Sequence, residues 1–106
     1  MKVAALQMVS GPDVAANLAT ARRLLEQAAA QGARLAALPE YFCLIGQHDR
    51  DKLAIAESLG DGPMQTMLAT AARELGHYVV GGTLPLKAET PDRVRNSTLV
   101  FDPQGQ

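Results

Sequence analysis

Apolar and polar positions fall in blocks whose period changes along this chain. Residues 3–8 form a short, mainly apolar run, and Ser10, Gly11, Pro12 and Asp13 interrupt it. That pattern predicts a buried strand followed by a turn. Asp13 is placed to cap a helix, because its carboxylate can accept a hydrogen bond from the free N–H groups of a first turn. Val14, Leu18, Ala21, Leu25 and Ala28 then recur every three or four residues, with Arg22, Arg23 and Glu26 largely outside the stripe. An amphipathic helix is expected, stopped at Gly32, where the left-handed conformation is cheap. Leu35, Ala36, Ala37 and Leu38 predict a second buried strand, ended by Pro39. Strand, helix and strand in so short a span make a βαβ unit with parallel strands and a right-handed crossover.

Residues 40–61 have no clean period; 45–51 read as a loop and 52–58 as a short helix. Gly62 and Pro63 open a better helix, since proline suits a first helical position. Met64, Met67, Leu68, Ala71 and Leu75 make its apolar stripe and Gly76 ends it. These methionines read as core filler, not a cofactor box. Residues 78–81 predict a third strand, 87–95 a solvated polar loop, and 98–101 a fourth strand closed by a turn at Asp102, Pro103, Gln104 and Gly105. A largely parallel sheet needs cover on both faces, and two good helices supply too little. Either the chain continues in the native protein or another molecule covers the sheet.

Composition narrows the function classes. The chain has 106 residues, a formal charge of -1, 47% hydrophobic and 20% charged residues, and a pI near 6.1. A core can form, so disorder is excluded. The near-neutral balance provides no field for nucleic acid or an anionic membrane. No apolar run approaches the roughly 18 to 20 residues of a membrane span, and the N-terminus meets Gln7 too early for a secretory signal. The lone Cys43 permits no disulfide within the chain, and cytoplasm is the expected compartment. The sequon at Asn96, Ser97 and Thr98 therefore carries no weight.

Glu40 is the first candidate for chemistry. It lies just beyond the second strand, on the edge where open α/β sheets place their ligand crevices. Held among Leu38, Tyr41 and Phe42 it would be partly desolvated, which raises a carboxyl pKa toward the range of a general base. The pattern alone favours a surface glutamate capping a turn. Cys43 lacks an activating elbow or helix terminus and reads as a packed thiol. Cys43, His48, Asp49 and Asp51 match neither a zinc pattern nor an EF-hand loop, so no metal is expected. His77, between a helix stop and a strand, reads as structural. Gly81 and Gly82 follow a strand but lack the dinucleotide fingerprint, and there is no Walker lysine. No cofactor is expected.

With those residues in view, the chain resembles the N-terminal part of the nitrilase superfamily of carbon–nitrogen hydrolases. The similar blocks follow in the family's order: residues 3–8 with the strand-end Gln7; Asn17; residues 32–42, ending Leu38, Pro39, Glu40, Tyr41, Phe42; residues 78–83; and residues 95–105. Arg95 and Ser97 stand where that last block usually has tyrosine and threonine. The resemblance implies an α/β fold, the N-terminal part of an αββα sandwich with a mixed sheet carrying helices on one face. It also implies that residues 1–106 are one incomplete portion of a single hydrolase domain.

The chemistry implied is a Glu, Lys and Cys triad with Glu40 in the glutamate's place. The thiolate attacks an amide or nitrile carbon, lysine stabilises the oxyanion, and water hydrolyses the thioester. The family lysine and nucleophile lie beyond Gln106, and neither Lys87 nor Cys43 stands in their place. The 106 residues alone are expected to be inactive. Residues 41–43 and 46–57 are similar to Nit-like amidases, some acting on ω-amides of 2-oxo acids or deaminated glutathione. An amidase acting on a small linear amide, as a homo-oligomer, is the leading expectation. Nitrile or N-carbamoyl hydrolysis, a non-catalytic oligomerising fragment and a flavodoxin-type binding domain are the alternatives; the last lacks a phosphate-binding loop.

Overall fold

The structure, a computed structural model, describes residues 2–44, 51–90 and 93–106. Its elements in chain order are β1 (Val3–Ala5), α1 (Val14–Ala30), β2 (Leu35–Ala37), α2 (Asp51–Ile55), α3 (Pro63–Leu75), β3 (Tyr78–Lys87) and β4 (Val94–Phe101). Of the expected loop at 45–51, all but Asp51 lies outside the described residues, and so do His48 and Asp49.

The helices end where local chemistry dictates. The Asp13 carboxylate accepts a hydrogen bond from the Ala16 N–H at 3.3 Å and starts α1; Gly32, at φ 86°, follows its end. Gly76, in the left-handed conformation, closes α3. The start of α3 is unusual because its N-cap, Gly62, has no side chain to offer. The Glu57 carboxylate substitutes, accepting from the N–H groups of Met64 (2.6 Å) and Gln65 (3.1 Å) and from the Gln65 side-chain amide (3.0 Å). A negative group there satisfies orphan donors and complements the helix dipole. Glycine is required at 62, since a Cβ would overlap the Glu57 carboxyl group.

The sheet runs β1-β2-β3-β4. β1 and β3 pair with β2 in parallel, and β4 pairs with β3 antiparallel. β3 is longer than its apolar run predicts. The ladder loses regularity between Gly81 and Leu84, as expected of a bulge at glycines, and then resumes with Leu84 to Lys87 facing Ser97 to Val94. Glu57 supports the other edge, donating its N–H to the Pro85 carbonyl (3.1 Å) and accepting from the Lys87 N–H (2.8 Å). Pro85 is tolerated because its carbonyl, not a missing N–H, makes that link.

Ala36 and Val79 meet Ala21, Leu25, Leu68, Ala71 and Ala72 in one buried core, which places the two long helices on one face of the sheet. The opposite face carries Val3, Tyr78 and Val100, which are 59%, 45% and 57% exposed. The shortest extent, 19 Å, fits one sheet layer and one helix layer of roughly 10 Å each. A mixed sheet with helices on one face and the other face open is the arrangement expected from the sequence.

Candidate active site

The carboxyl ends of β1 and β2 open onto a hollow of about 490 Å³ lined by Gln7, Met8, Val9 and Pro39. Glu40 follows Pro39 directly, so it stands at the strand-tip edge where crevices of such sheets lie. It is exposed, so the desolvation expected from Leu38, Tyr41 and Phe42 is not supplied. Leu38 and Phe42 are buried, yet the glutamate side chain leaves their company. Among the described residues no hydrogen bond or ion pair engages its carboxylate.

The backbone carrying Glu40 is, by contrast, tightly held. Leu38 continues the sheet, donating its N–H to the Val80 carbonyl at 2.9 Å. The chain then passes so close to β3 that a Cβ on Gly82 would collide with the carbonyls of Leu38 and Pro39. Tyr41 takes φ 51°, a left-handed conformation uncommon for a bulky residue. Its N–H donates to Thr83 Oγ1 (2.9 Å), and its hydroxyl accepts from Asn96 Nδ2 (2.7 Å). On the helix side, Asn17 is a buried amide in the otherwise apolar stripe of α1. Its Nδ2 donates to the carbonyls of Gly11 and Cys43, each at 2.8 Å, while Oδ1 accepts from the Gly11 N–H at 3.0 Å. Ser10 Oγ donates to the Phe42 carbonyl at 2.8 Å. Four separate segments thus converge on residues 40–44.

Cys43 is fully buried. Burial pushes its thiol up to about 11, a backbone hydrogen bond works against this, and the Glu57 charge adds to the rise. A thiol so disposed is a poor nucleophile at neutral pH, as its sequence context suggested. His77 is buried, with Nε2 3.5 Å from the Leu25 carbonyl and Nδ1 without a partner among the described residues. Among the described residues no group of three or more histidine, cysteine, aspartate or glutamate side chains is arranged to hold a metal. No helix among them is long and apolar enough to cross a membrane. A second hollow, about 390 Å³, adjoins Ile55, Glu57, Met64 and Lys87, but its carboxylate is already engaged in capping α3. The holding roles of Ser10, Glu57, Thr83 and Asn96 were not assigned from the sequence. The signal available was a polar residue beside an apolar block, which is weak without knowledge of what lies opposite.

A mixed four-stranded sheet with two long helices on one face defines one layer of an α/β fold. The chain belongs to the carbon-nitrogen hydrolase family, whose model matches residues 2–106. It is 33% identical over 105 residues to the deaminated glutathione amidase of Yersinia enterocolitica, covering 98% of this chain and 36% of that protein. It is 34% identical over 110 residues to a nitrilase of Pyrococcus abyssi, covering 99% of this chain and 40% of the relative. The crystal structure of an amidase from Nesterenkonia sp. superposes with a TM-score of 0.81 at 26% identity, covering all of this chain and 40% of that one. The chain therefore spans 36 to 40% of the length of these proteins. The resemblance drawn from its motif blocks, including the Nit-like branch, is matched by these relatives.

Proposed function

We propose that this chain is the N-terminal portion of a single amidase domain, and that the whole enzyme converts a small linear amide to a carboxylate and ammonia. Glu40 is the general base. It accepts the proton of a cysteine thiol supplied by residues outside this chain, and the thiolate attacks the amide carbon. A lysine, also from outside, stabilises the oxyanion. As the C–N bond breaks, Glu40 returns the proton to the departing ammonia. It then takes a proton from the water that attacks the thioester, and the thiol leaves with that proton. Two acyl transfers replace one difficult hydrolysis.

The observation that carries this reading is the position of Glu40 beyond β2, within a family match covering residues 2–106. Its exposed carboxylate leaves room for a second layer of protein over the open sheet face and strand tips, which would supply the desolvation missing here. In a mutant of the Nesterenkonia amidase, acrylamide is found added to the active site cysteine, in keeping with a thiol in this role.

The nitrilase relative supports a second reading, nitrile hydrolysis on the same framework. Ammonia release by the enzyme carrying this chain, measured across small ω-amides, N-carbamoyl compounds and nitriles, separates them. The amidase reading requires kcat/KM for the best amide to exceed that for any nitrile or carbamoyl compound. A preference for nitriles would replace it with the second reading.

A further inference from the structure

Glu40 combines an uncommitted carboxylate with a backbone held from several sides. A residue that only caps a turn shows the reverse, a side chain bonded to local N–H groups. The N–H that Thr83 receives belongs to the peptide joining Glu40 to Tyr41, so the hydroxyl anchors the peptide plane directly after the Cα from which the glutamate stem projects. Tyr41 keeps its left-handed φ of 51° only because something outweighs its cost. The bond to Thr83 holds the residue at its backbone, and Asn96 holds it at its far end. Thr83 is itself fixed, because Thr98 Oγ1 donates to the carbonyl of Gly82 at 2.6 Å and Gly82 is wedged against Leu38 and Pro39.

We infer that Thr83 and Asn96 are positioning residues that aim Glu40 by locking Tyr41, in its left-handed conformation, and the peptide that joins it to Glu40. This rests on the reading of Glu40 as general base. The protein fixes the stem and leaves the carboxylate oxygens free, as a group that gives and takes protons in turn requires. Aim matters to the transition state more than to binding, so loss of the lock should fall on kcat and leave KM little changed.

The test compares Thr83→Val, Thr83→Ser and Asn96→Ala in the full-length enzyme, with ammonia release as the assay. Folding is checked by circular dichroism well below each melting temperature. Valine keeps the shape and removes the acceptor. A misplacement on the scale of an ångström can cost about a hundredfold, so kcat for Thr83→Val should fall about ten- to a hundredfold with KM within about twofold. Serine restores the acceptor and should restore kcat to within about threefold, since one hydroxyl oxygen is all the lock needs. Asn96 is exposed, so Asn96→Ala tests the other anchor with little risk to folding; kcat should fall about three- to tenfold.

The inference is overturned if folded Thr83→Val keeps kcat within about twofold of the parent, or, should that variant not fold, if Asn96→Ala does. A rise in KM with kcat unchanged overturns it too. Glu40→Gln run in parallel separates the two levels. If that variant retains near-normal turnover, the base assignment falls. If it is inactive while Thr83→Val is normal, only the positioning inference falls.

Discussion

Asn17 ties the loop between β1 and α1 to the segment that carries Glu40, and replacing it gives a graded test of that clamp. The side chain is 5% exposed and makes three hydrogen bonds, two as donor and one as acceptor. Alanine removes all three, at about 0.5 to 1.5 kcal/mol each. It regains roughly 0.5 kcal/mol of helix propensity. The net expectation for Asn17→Ala is a loss of about 2.5 kcal/mol, within a range of about 1 to 4 kcal/mol.

Asn17→Asp is nearly isosteric yet should be worse. It keeps the acceptor for the Gly11 N–H but turns a carboxylate toward the carbonyls of Gly11 and Cys43, with no proton to give. An ionised group buried against acceptors costs more than a missing one, so the loss should exceed about 3 kcal/mol at pH 7. Burial raises the introduced carboxyl's pKa, so the deficit should shrink as pH falls through that raised value and one donor returns. Urea denaturation of the two variants and the parent, at pH 7 and pH 5, gives the ordering. An aspartate variant as stable as the alanine variant at pH 7, or no relief at pH 5, would refute the clamp geometry.

Cys43 should resist thiol reagents at pH 8 in the folded chain and react once unfolded. Its ionisation lies near 9.0 in an ordinary setting and about 11 in the fold. The neutral thiol therefore contributes stability that is fully present below pH 9 and lost as pH rises toward 11, up to about 3 kcal/mol. Urea midpoints that fail to drop across that window would contradict its burial. The 106-residue chain should self-associate through the face bearing Val3, Tyr78 and Val100, and Val100→Lys should shift light-scattering mass toward the monomer. A parent chain that is monomeric at all concentrations would remove the open face as the cause.

The elements legible in the sequence were those whose signals are local. Asp13, Gly32, Gly62, Pro63 and Gly76 bound α1 and α3 through capping and turn chemistry that acts within a few residues. The apolar stripes likewise named the core-facing positions Ala21, Leu25, Leu68 and Ala71. What escaped depended on partners distant along the chain. β3 extends through Gly82 and Pro85 because β4 and Glu57 pair with its two edges, and no local propensity announces that. Asn17 breaks an apolar stripe for the sake of the Cys43 carbonyl, 26 residues away, so periodicity alone misreads it. Glu57 sat in a stretch without period, and only the fold brings it to the start of α3. Glu40 was found by its place after a strand. Its exposure is not legible locally, because the apolar residues around it in sequence, Leu38 and Phe42, turn inward without it.

The proposed mechanism requires the carboxylate of Glu40 to act as the proton carrier. Glu40→Gln preserves shape and removes the base, and general-base catalysis contributes about 10² to 10⁴-fold. In the full-length enzyme, with melting temperature unchanged, kcat/KM for ammonia release from the best amide should fall by at least about a hundredfold. A folded Glu40→Gln enzyme releasing ammonia at a rate close to the parent's would contradict the claim.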